Sequence, residues 1–253
     1  MKIKDITQVI EAHAPRGNAE EWDNTGMMLG DAEKECTGVL VCLDCTLAAA
    51  EQAKEEGCNL IVSHHPFIFR PLDRLTTDTA KGRTTEYLFA NGISVYSAHT
   101  NLDSASEGLS RTLADILGGT DAESAGCGCY ADIPEESAGE LAVKVASALG
   151  DRTVKVSSPD AKVRRIYVIS GAGGDDAGLR AAREGADALV TGEVEHHVFT
   201  EADETDFPVV EFSHYYSEII CCDVLKSIIK STFGELDVFE AHRRCPYKTL
   251  EEL

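Results

Sequence analysis

Two adjacent histidines, His64 and His65, end an apolar run in the sequence IVSHHPFIF. Neighbouring side chains of a regular strand point to opposite faces, so a flat strand cannot direct both imidazoles at one ion. At the end of a strand, with Pro66 keeping His65 extended, the two rings can turn toward two neighbouring ions. Because burying two imidazoles without partners is costly, the pair predicts a metal site more strongly than an ordinary strand end.

Two other predicted strands also end in histidine and carboxylate. Asp103 follows His99 in AHTNLD and is expected in a loop, and Glu218 lies four residues after His214 in SHYYSE. If a helix begins at or just before His214, the His214 and Glu218 side chains face the same side. Binding groups collect at the carboxyl ends of parallel strands, so we expect these residues to act together.

The candidate metal ligands are therefore three imidazoles and two carboxylates: His64, His65, Asp103, His214 and Glu218. Five ligands exceed what one tetrahedral ion with an open position needs, and they suit two ions about 3.5–4 Å apart. A set without thiolate favours Zn, Fe, Mn or Ni over Cu(I) or an iron–sulfur cluster. We predict two divalent metal ions per subunit, with water between them that can attack a phosphorus, a carbonyl carbon or a purine ring.

Hydrolysis at such a site needs a proton donor or acceptor, and three residues are candidates for a catalytic role. His99 is the first, with orientation of Asp103 as the alternative. Glu193 and His197, in TGEVEHH, are the second. Alternatively, Glu193 caps the N-terminus of a helix, and His197 is a surface residue without a catalytic role.

Two glycine-containing segments have simpler interpretations. In WDNTG, Asp23 and Asn24 form a turn before Gly26 and either line the entrance of the site or only shape the loop. Trp22 is expected to pack rather than to stack on a base. The segment SGAGG, residues 170–174, precedes a helix but lacks the full dinucleotide fingerprint and the P-loop lysine. A tight turn is therefore favoured over a phosphate-binding loop.

The elements that must position these residues alternate between short apolar strands and helices. This alternation indicates an α/β fold with largely parallel strands and helices on the sheet faces. Helices are predicted at 2–14, 46–57, 77–91, 108–119, 137–149, 176–185 and 215–232, and strands at 38–44, 59–65, 93–99, 164–170, 186–192 and 208–214, with one more near the end. Between Gly118 and Tyr130 the composition shifts to glycine, serine, cysteine and aspartate, which predicts a domain boundary. The predicted domains are 1–125 plus 205–253, with the metal site, and an inserted α/β domain at 126–204.

The composition restricts the function classes. The 44 acidic and 23 basic residues give a net charge of −21, which disfavours nucleic acid and anionic membrane as partners. We find no secretory signal and no apolar run long enough to span a bilayer, and the nine cysteines do not form a disulfide framework. A cytoplasmic protein with reduced thiols is expected, and Cys42 and Cys45 are interpreted as buried small residues.

Several segments, in this order along the chain, resemble the signature segments of the Nif-three-like family, whose members are often labelled GTP cyclohydrolase 1 type 2 homologs: EEWDNTGMMLG (20–30), SHHPFIF (63–69), YSAHTNLDSA (96–105), VTGEVEHH (190–197) and SHYYSE (213–218). The resemblance covers nearly the whole chain. It implies two interlinked α/β domains, a toroidal homohexamer and a dinuclear metal site in each subunit, with the same five ligands. One departure is Ser213, where the family commonly has glycine.

Three functions follow from these observations as alternatives. The first is a metal-dependent hydrolase of a nucleotide-like or phosphorylated small molecule. The second is a non-catalytic metal-binding or delivery protein, and the third is a ring-shaped interaction scaffold whose metals only stabilise the fold. A nucleic-acid clamp conflicts with the charge of −21 unless the inner wall is locally basic.

Overall fold

A computed structural model describes residues 1–250 of the chain. Contacts divide it into two compact units, each of which contains one sheet. The first unit combines Met1–Ala105 with Cys221–Arg244, and the second combines Ser106–Ile220 with the residues from Cys245 onward. These bounds differ from those of the predicted domains, 1–125 plus 205–253 and 126–204, and that division stays a prediction.

The helices and strands follow the predicted alternation. The helices are α1 (Ile3–His13), α2 (Leu47–Glu55), α3 (Ala80–Ala90), α4 (Thr100–Asp103), α5 (Leu109–Ile116), α6 (Ala138–Leu149), α7 (Asp176–Gly185), α8 (His196–Glu204), α9 (His214–Glu218) and α10 (Cys221–Thr232), with a 3-10 turn at Arg16–Asn18. The strands are β1 (Gly26–Leu29), β2 (Val39–Cys42), β3 (Leu60–Ser63), β4 (Ser94–Ser97), β5 (Thr120–Ala125), β6 (Gly128–Ser137), β7 (Lys155–Val156), β8 (Lys162–Gly174), β9 (Ala188–Val194), β10 (Val209–Phe212) and β11 (Val238–Glu240). The predicted α/β fold class is confirmed.

The sheet of the first unit has the strand order β1-β4-β3-β2-β11. All neighbours are parallel except β1, which is antiparallel to β4. Ser63, the last residue of β3, is paired with Ser97, the last residue of β4, and their hydroxyl oxygens are 2.9 Å apart. The segments that follow β3 and β4 therefore leave the sheet side by side at one edge.

Helices cover both faces of this first sheet. One face packs against α2 and α3 through a core that includes Leu40, Ile61 and Val95. On the other side α10 packs against α1 and β2. Because the central strands are buried on both faces, their sequences are continuously apolar rather than alternating.

The sheet of the second unit has the strand order β5-β6-β8-β9-β10-β7, with parallel strands in its centre and antiparallel strands toward both edges. Ala172, Gly192 and Phe212 lie side by side on β8, β9 and β10. The carboxyl ends of the three parallel strands are thus aligned. Neighbouring residues such as Leu189 and Val190 join separate cores on opposite faces of this sheet.

Three local predictions differ from the structure. The segment 118–130, interpreted as a boundary, contains most of the β5–β6 hairpin, and the boundary itself stays a prediction. The predicted helix at 215–232 is two helices, α9 and α10. The SGAGG segment is not a tight turn but the end of β8, where the register shifts between Ile169 and Ala172. Asp103 ends the short helix α4 and does not lie in a loop.

Candidate metal centre

Three histidines of the first unit form a group that can hold a metal ion. His64 and His65 follow β3, and His99 precedes α4. Each offers one ring nitrogen, and these nitrogens all lie within 4.8 Å of one another. Two ligands that are each about 2.0–2.1 Å from one ion are separated by about 3–4 Å, so small side-chain movements bring this group to coordination distance.

His64 is held in one orientation by the neighbouring strand. Its Nδ1–H donates to the carbonyl oxygen of Ala98 at 2.9 Å. Because a carbonyl oxygen only accepts hydrogen bonds, this contact requires the hydrogen on Nδ1 and leaves Nε2 as the atom with a lone pair. The side chain is fully buried, which fixes the direction of that lone pair.

His65 has the same arrangement with a carboxylate as acceptor. Its Nδ1–H donates to Oδ1 of Asp44 at 2.8 Å. Asp44 follows β2, which is parallel to β3, so the sheet itself places the carboxylate beside the histidine. A carboxylate behind an imidazole fixes its tautomer and makes Nε2 a better metal ligand.

His99 repeats the pattern with Asp23. Its Nδ1–H donates to Oδ1 of Asp23 at 2.8 Å, and Oδ2 accepts from the backbone N–H of Thr100 at 3.1 Å. Burial alone would raise the pKa of Asp23, but the hydrogen bonds from His99 and Thr100 outweigh it and lower the pKa to about 2. Asp23 is therefore an anion over the ordinary pH range, and it holds His99 with Nε2 directed away from it.

Asp103 lies beside this histidine group. The Asp103 side chain is largely buried at the end of α4, and its Oδ1 is 3.8 Å from Nε2 of His64. That distance is too long for a hydrogen bond but close to the separation of two ligands on one ion. The chemistry of the donors, imidazole nitrogens with a carboxylate oxygen, fits a divalent transition metal or zinc.

A second group of possible ligands lies within the second unit. His214 and Glu218 are the first and last residues of α9, and Nε2 of His214 is 2.7 Å from Oε2 of Glu218. Since α9 begins at His214, the condition for His214 and Glu218 to face the same side is met. On the other side of the imidazole, Nδ1 is 3.0 Å from Oε2 of Glu193. Burial alone would lower the pKa of His214, but the hydrogen bonds to Glu218 and Glu193 outweigh it and raise the pKa to about 9.

Glycines make room for the His214–Glu218 pair. A Cβ on Gly171 would lie 2.0 Å from Oε1 of Glu218 and 3.3 Å from Nε2 of His214. Gly171 also has a φ of +64°, a conformation that L side chains rarely adopt. A Cβ on Gly192 would lie 3.2 Å from the backbone N and Cα of His214. The glycine backbones of β8 and β9 thus contact the two possible ligands directly.

A protein-family comparison matches residues 1–246 to Duf34/NIF3 (NGG1p interacting factor 3). The chain belongs to this family. The resemblance found in the sequence is confirmed.

Relatives and solved structures agree with the family. A Clostridium perfringens protein named "GTP cyclohydrolase 1 type 2 homolog" is 36% identical over 230 residues, which cover 86% of this chain and 87% of the relative. A Clostridium acetobutylicum protein of the same name is 31% identical, with 86% and 85% covered. The crystal structure of Staphylococcus aureus protein SA1388 superposes with a TM-score of 0.91 and 25% identity over 99% of both chains.

Within this Duf34/NIF3 fold, the three predicted catalytic residues have different surroundings. His99 joins the histidine group, and Glu193 contacts His214 from a left-handed backbone conformation with φ +47°. His197 is exposed, and its nearest charged partners are Asp176 and Glu195. The catalytic role predicted for each of them stays a prediction.

One partner in the site was missed in the sequence, and two residues noted there have a structural outcome. Asp44 was missed as the partner of His65, although it stands at a strand end and the same strand-end rule points to it. Trp22, which was expected to pack, is 55% exposed, and its ring centroid is 5.9 Å from that of Phe69. Ser213 has a φ of −71°, so the replacement of the family's glycine requires no unusual backbone.

Two further predictions concern the rest of the chain. Cys42 and Cys45 are buried, as expected, and burial raises the pKa of the Cys45 thiol to about 12. Among residues 1–250, no helix is long and apolar enough to cross a bilayer.

Proposed function

We propose that this protein is a metal-dependent hydrolase that acts on a small nucleotide-like or phosphorylated molecule. The observation that supports the proposal best is the common arrangement of His64, His65 and His99. Each donates its Nδ1–H to an oxygen, and their possible ligand nitrogens lie within 4.8 Å of one another. A chance cluster of surface histidines would not have three separately fixed tautomers.

The proposed ligands of two divalent ions, which we take to be Zn, Fe, Mn or Ni, are those predicted from the sequence: His64, His65, Asp103, His214 and Glu218. The first three belong to the histidine group of the first unit and its neighbouring carboxylate. His214 and Glu218 already face each other on α9, where Glu193 holds the far side of the imidazole. When bound, such ions lower the pKa of water and stabilise developing negative charge.

The residues around the proposed ligands have distinct tasks in this proposal. Asp23 keeps His99 in the tautomer whose Nε2 can accept a proton from water or return it to a leaving group. Asp44 orients His65, and Glu193 orients His214. Gly171 and Gly192 leave the space in which the His214–Glu218 pair fits.

The family name supports the class of substrate. Relatives that cover most of this chain are named GTP cyclohydrolase 1 type 2 homologs, which supports a nucleotide-like substrate. We also propose, from the resemblance alone, a toroidal homohexamer in the cytoplasm. Light scattering coupled to gel filtration would test the hexamer directly.

Metal content tests the proposed ligands. Gently purified protein should contain about two ions per subunit, and His65→Ala or Asp103→Ala should lower that number. His13→Ala is a matched control, since His13 is an exposed histidine whose Nδ1 is 2.9 Å from the carbonyl oxygen of Val9 in its own helix. Full metal occupancy in both ligand variants would contradict the assignment.

Turnover tests the reaction. Metal-loaded protein should hydrolyse at least one member of a panel of nucleotides and phosphoesters. Because the proposed ligand set leaves His99 as the proton-transfer group, His99→Gln should lower the rate at unchanged metal content. Loaded protein that turns over none of them, while exchanging its metal readily, would favour a non-catalytic metal-binding or delivery protein. Dissociation of the assembled protein on metal removal, again without turnover, would favour the scaffold.

A further inference from the structure

Three aromatic rings of the first unit form an exposed corner that the proposed hydrolysis does not by itself explain. The rings of Trp22, Phe69 and His99 have centroids 5.9–6.2 Å apart in each pair. Their interplanar angles are 76–87°, so each ring is nearly perpendicular to the other two. We call these three residues the aromatic corner. Such a corner can bind a planar ligand that stacks on the face of one ring and contacts the edges of the other two.

The corner adjoins the histidine group through a shared member. His99 is 5.2 Å from His64 and 5.8 Å from His65, centroid to centroid. A planar molecule seated in the corner therefore lies one ring away from both of these proposed metal ligands. This distance suits a substrate whose ring is held by the corner while another of its atoms reaches the metal.

Hydrogen bonds hold the two loops of the corner in place. Asp23, next to Trp22, is bonded to His99 and to Thr100. Asn24 donates from Nδ2 to the carbonyl oxygen of Ile68, next to Phe69, at 2.5 Å. Trp22 and Phe69 are thus attached to the site and to each other by their neighbours in sequence. The corner is pre-organised, which reduces the entropy lost when a ligand binds.

The exposure of these rings is unusual for their position. Trp22 is 55% exposed and Phe69 is 37% exposed, although both stand on anchored loops beside buried polar residues. A single exposed aromatic residue needs no explanation, but two adjacent ones beside a cluster of possible metal ligands are typical of a binding site.

We propose that the aromatic corner binds the planar heterocyclic ring of the substrate. This inference rests on the proposed function and deepens it, because it assigns the ring-binding residues and the chemical class of the ligand. The ring stacks on Trp22 and meets the edges of Phe69 and His99. Stacking of this kind accepts different bases, because every base has a π-face.

A positive charge at the same corner favours a ring with an anionic substituent. The guanidinium carbon of Arg70 lies 4.9 Å from the centroid of the Phe69 ring. In a chain of net charge −21, a guanidinium at this point is a local exception that can attract a phosphate. Purine nucleoside monophosphates are therefore the probes of choice, and ribose phosphate, which lacks only the ring, is their control.

The fluorescence of the protein reports directly on the corner, because Trp22 is the only tryptophan of the chain. Titration of metal-loaded protein with a purine nucleoside monophosphate should quench this fluorescence saturably, and ribose phosphate should not. Phe69→Leu keeps an apolar side chain but removes a ring edge, and Trp22→Leu, followed by calorimetry, removes the stacking face. Trp22→Leu should weaken purine binding about 5- to 150-fold, the range for loss of one base–aromatic stack. Phe69→Leu removes only an edge contact and should weaken purine binding about 2- to 12-fold.

Phe89→Leu is the matched control. Phe89 is 64% exposed on α3 of the same unit, outside the corner, so its replacement should leave purine affinity unchanged. The metal content of all three variants should equal that of the unaltered protein, so loss of the stack is distinguishable from loss of the metal site. If the purified protein binds no metal, the proposed function is contradicted. Purine binding to the aromatic corner can be measured independently of that result.

Three results would overturn the inference. The first is equal affinity for the purine nucleotide and for ribose phosphate, or no purine binding at all. The second is equal purine affinity in the Phe69→Leu and Phe89→Leu proteins. The third is a change in oligomeric mass on replacement of Trp22 or Phe69, without any change in purine affinity, which would identify the corner as a contact between protein chains.

Discussion

Replacement of Gly171 by alanine is the sharpest test of how the second unit holds its two possible ligands. Gly171 stands at the bulge of β8 with a φ of +64°, and its backbone N–H donates to the hydroxyl of Ser217 at 3.0 Å. An added Cβ would lie 2.0 Å from Oε1 of Glu218, a distance that real Cβ atoms essentially never show. Glu218 would have to move by about 1 Å or more to restore a normal contact.

The cost of Gly171→Ala has two parts. The left-handed conformation of a residue with a Cβ costs about 1–2 kcal/mol in the free energy of unfolding. The forced movement of the largely buried Glu218 adds about 1–3 kcal/mol, the usual range for overpacking. The displaced carboxylate should also lower metal affinity by about 10- to 100-fold, as for other losses of ligand orientation.

Gly150→Ala is a matched control within the same unit. Gly150 has a φ of +69°, and a Cβ on it would meet nothing within 4 Å. This variant should lose only the backbone part of the stability and none of the metal affinity. Both variants would be compared with the unaltered protein by denaturant unfolding and by metal titration.

The comparison between the two glycine variants tests whether Gly171 positions Glu218. If Gly171→Ala and Gly150→Ala lose equal stability and both retain full metal affinity, the bare backbone at Gly171 is not what positions Glu218. The assignment of Gly171 to the site would then be wrong, whatever the outcome for the histidine group of the first unit.

Two further predictions concern the carboxylates behind the histidines. Asp44→Asn should lower metal affinity about 10- to 100-fold, because it removes the charged acceptor of the His65 Nδ1–H; unchanged affinity in a competition titration would contradict this role. Because the pKa of Asp23 is lowered to about 2, its ionised form stabilises the metal-free protein above about pH 4, and that stability is lost as the pH falls toward 2. Asp23→Asn should therefore flatten the acid dependence of unfolding over this range, and an unaltered dependence would refute the assignment.

Most elements of the fold were predictable because their cores leave a local pattern. The strand at 38–44 and the helix at 46–57 correspond closely to β2 and α2, since a buried parallel strand is continuously apolar and a helix repeats every 3.6 residues. The β5–β6 hairpin was missed because β5 is an edge strand with largely exposed polar residues. Without a buried face, a strand has no alternating pattern to detect.

The bend at the end of β8 could not be predicted from the sequence for a different reason. The glycines of SGAGG are compatible with a turn, a phosphate-binding loop or a bulge. Only the pairing of β8 with β9, which shifts between Ile169 and Ala172, selects the bulge. Pairing between strands that are distant in sequence is a tertiary property, so local composition does not specify it.

The sequence alone determined the candidate ligands and the family. Histidines and carboxylates at the ends of apolar runs are a local signal, since burial of unpaired imidazoles is costly and strand ends are where such groups collect. The signature segments then identified the Duf34/NIF3 family, which the comparisons confirm.

Only the tertiary structure decided which ring nitrogen of each grouped histidine is hydrogen-bonded and which one is left as a possible metal ligand. The acceptors Ala98, Asp44 and Asp23 lie between 21 and 76 residues away from their histidines, and the sheet and its following loops bring them into contact. The same is true of the aromatic corner, since the loops of Trp22 and Phe69 are joined by the hydrogen bond from Asn24 to Ile68, which are 44 residues apart. A sequence lists the chemical groups of a site, but hydrogen bonds between distant segments decide which atoms of those groups remain to act.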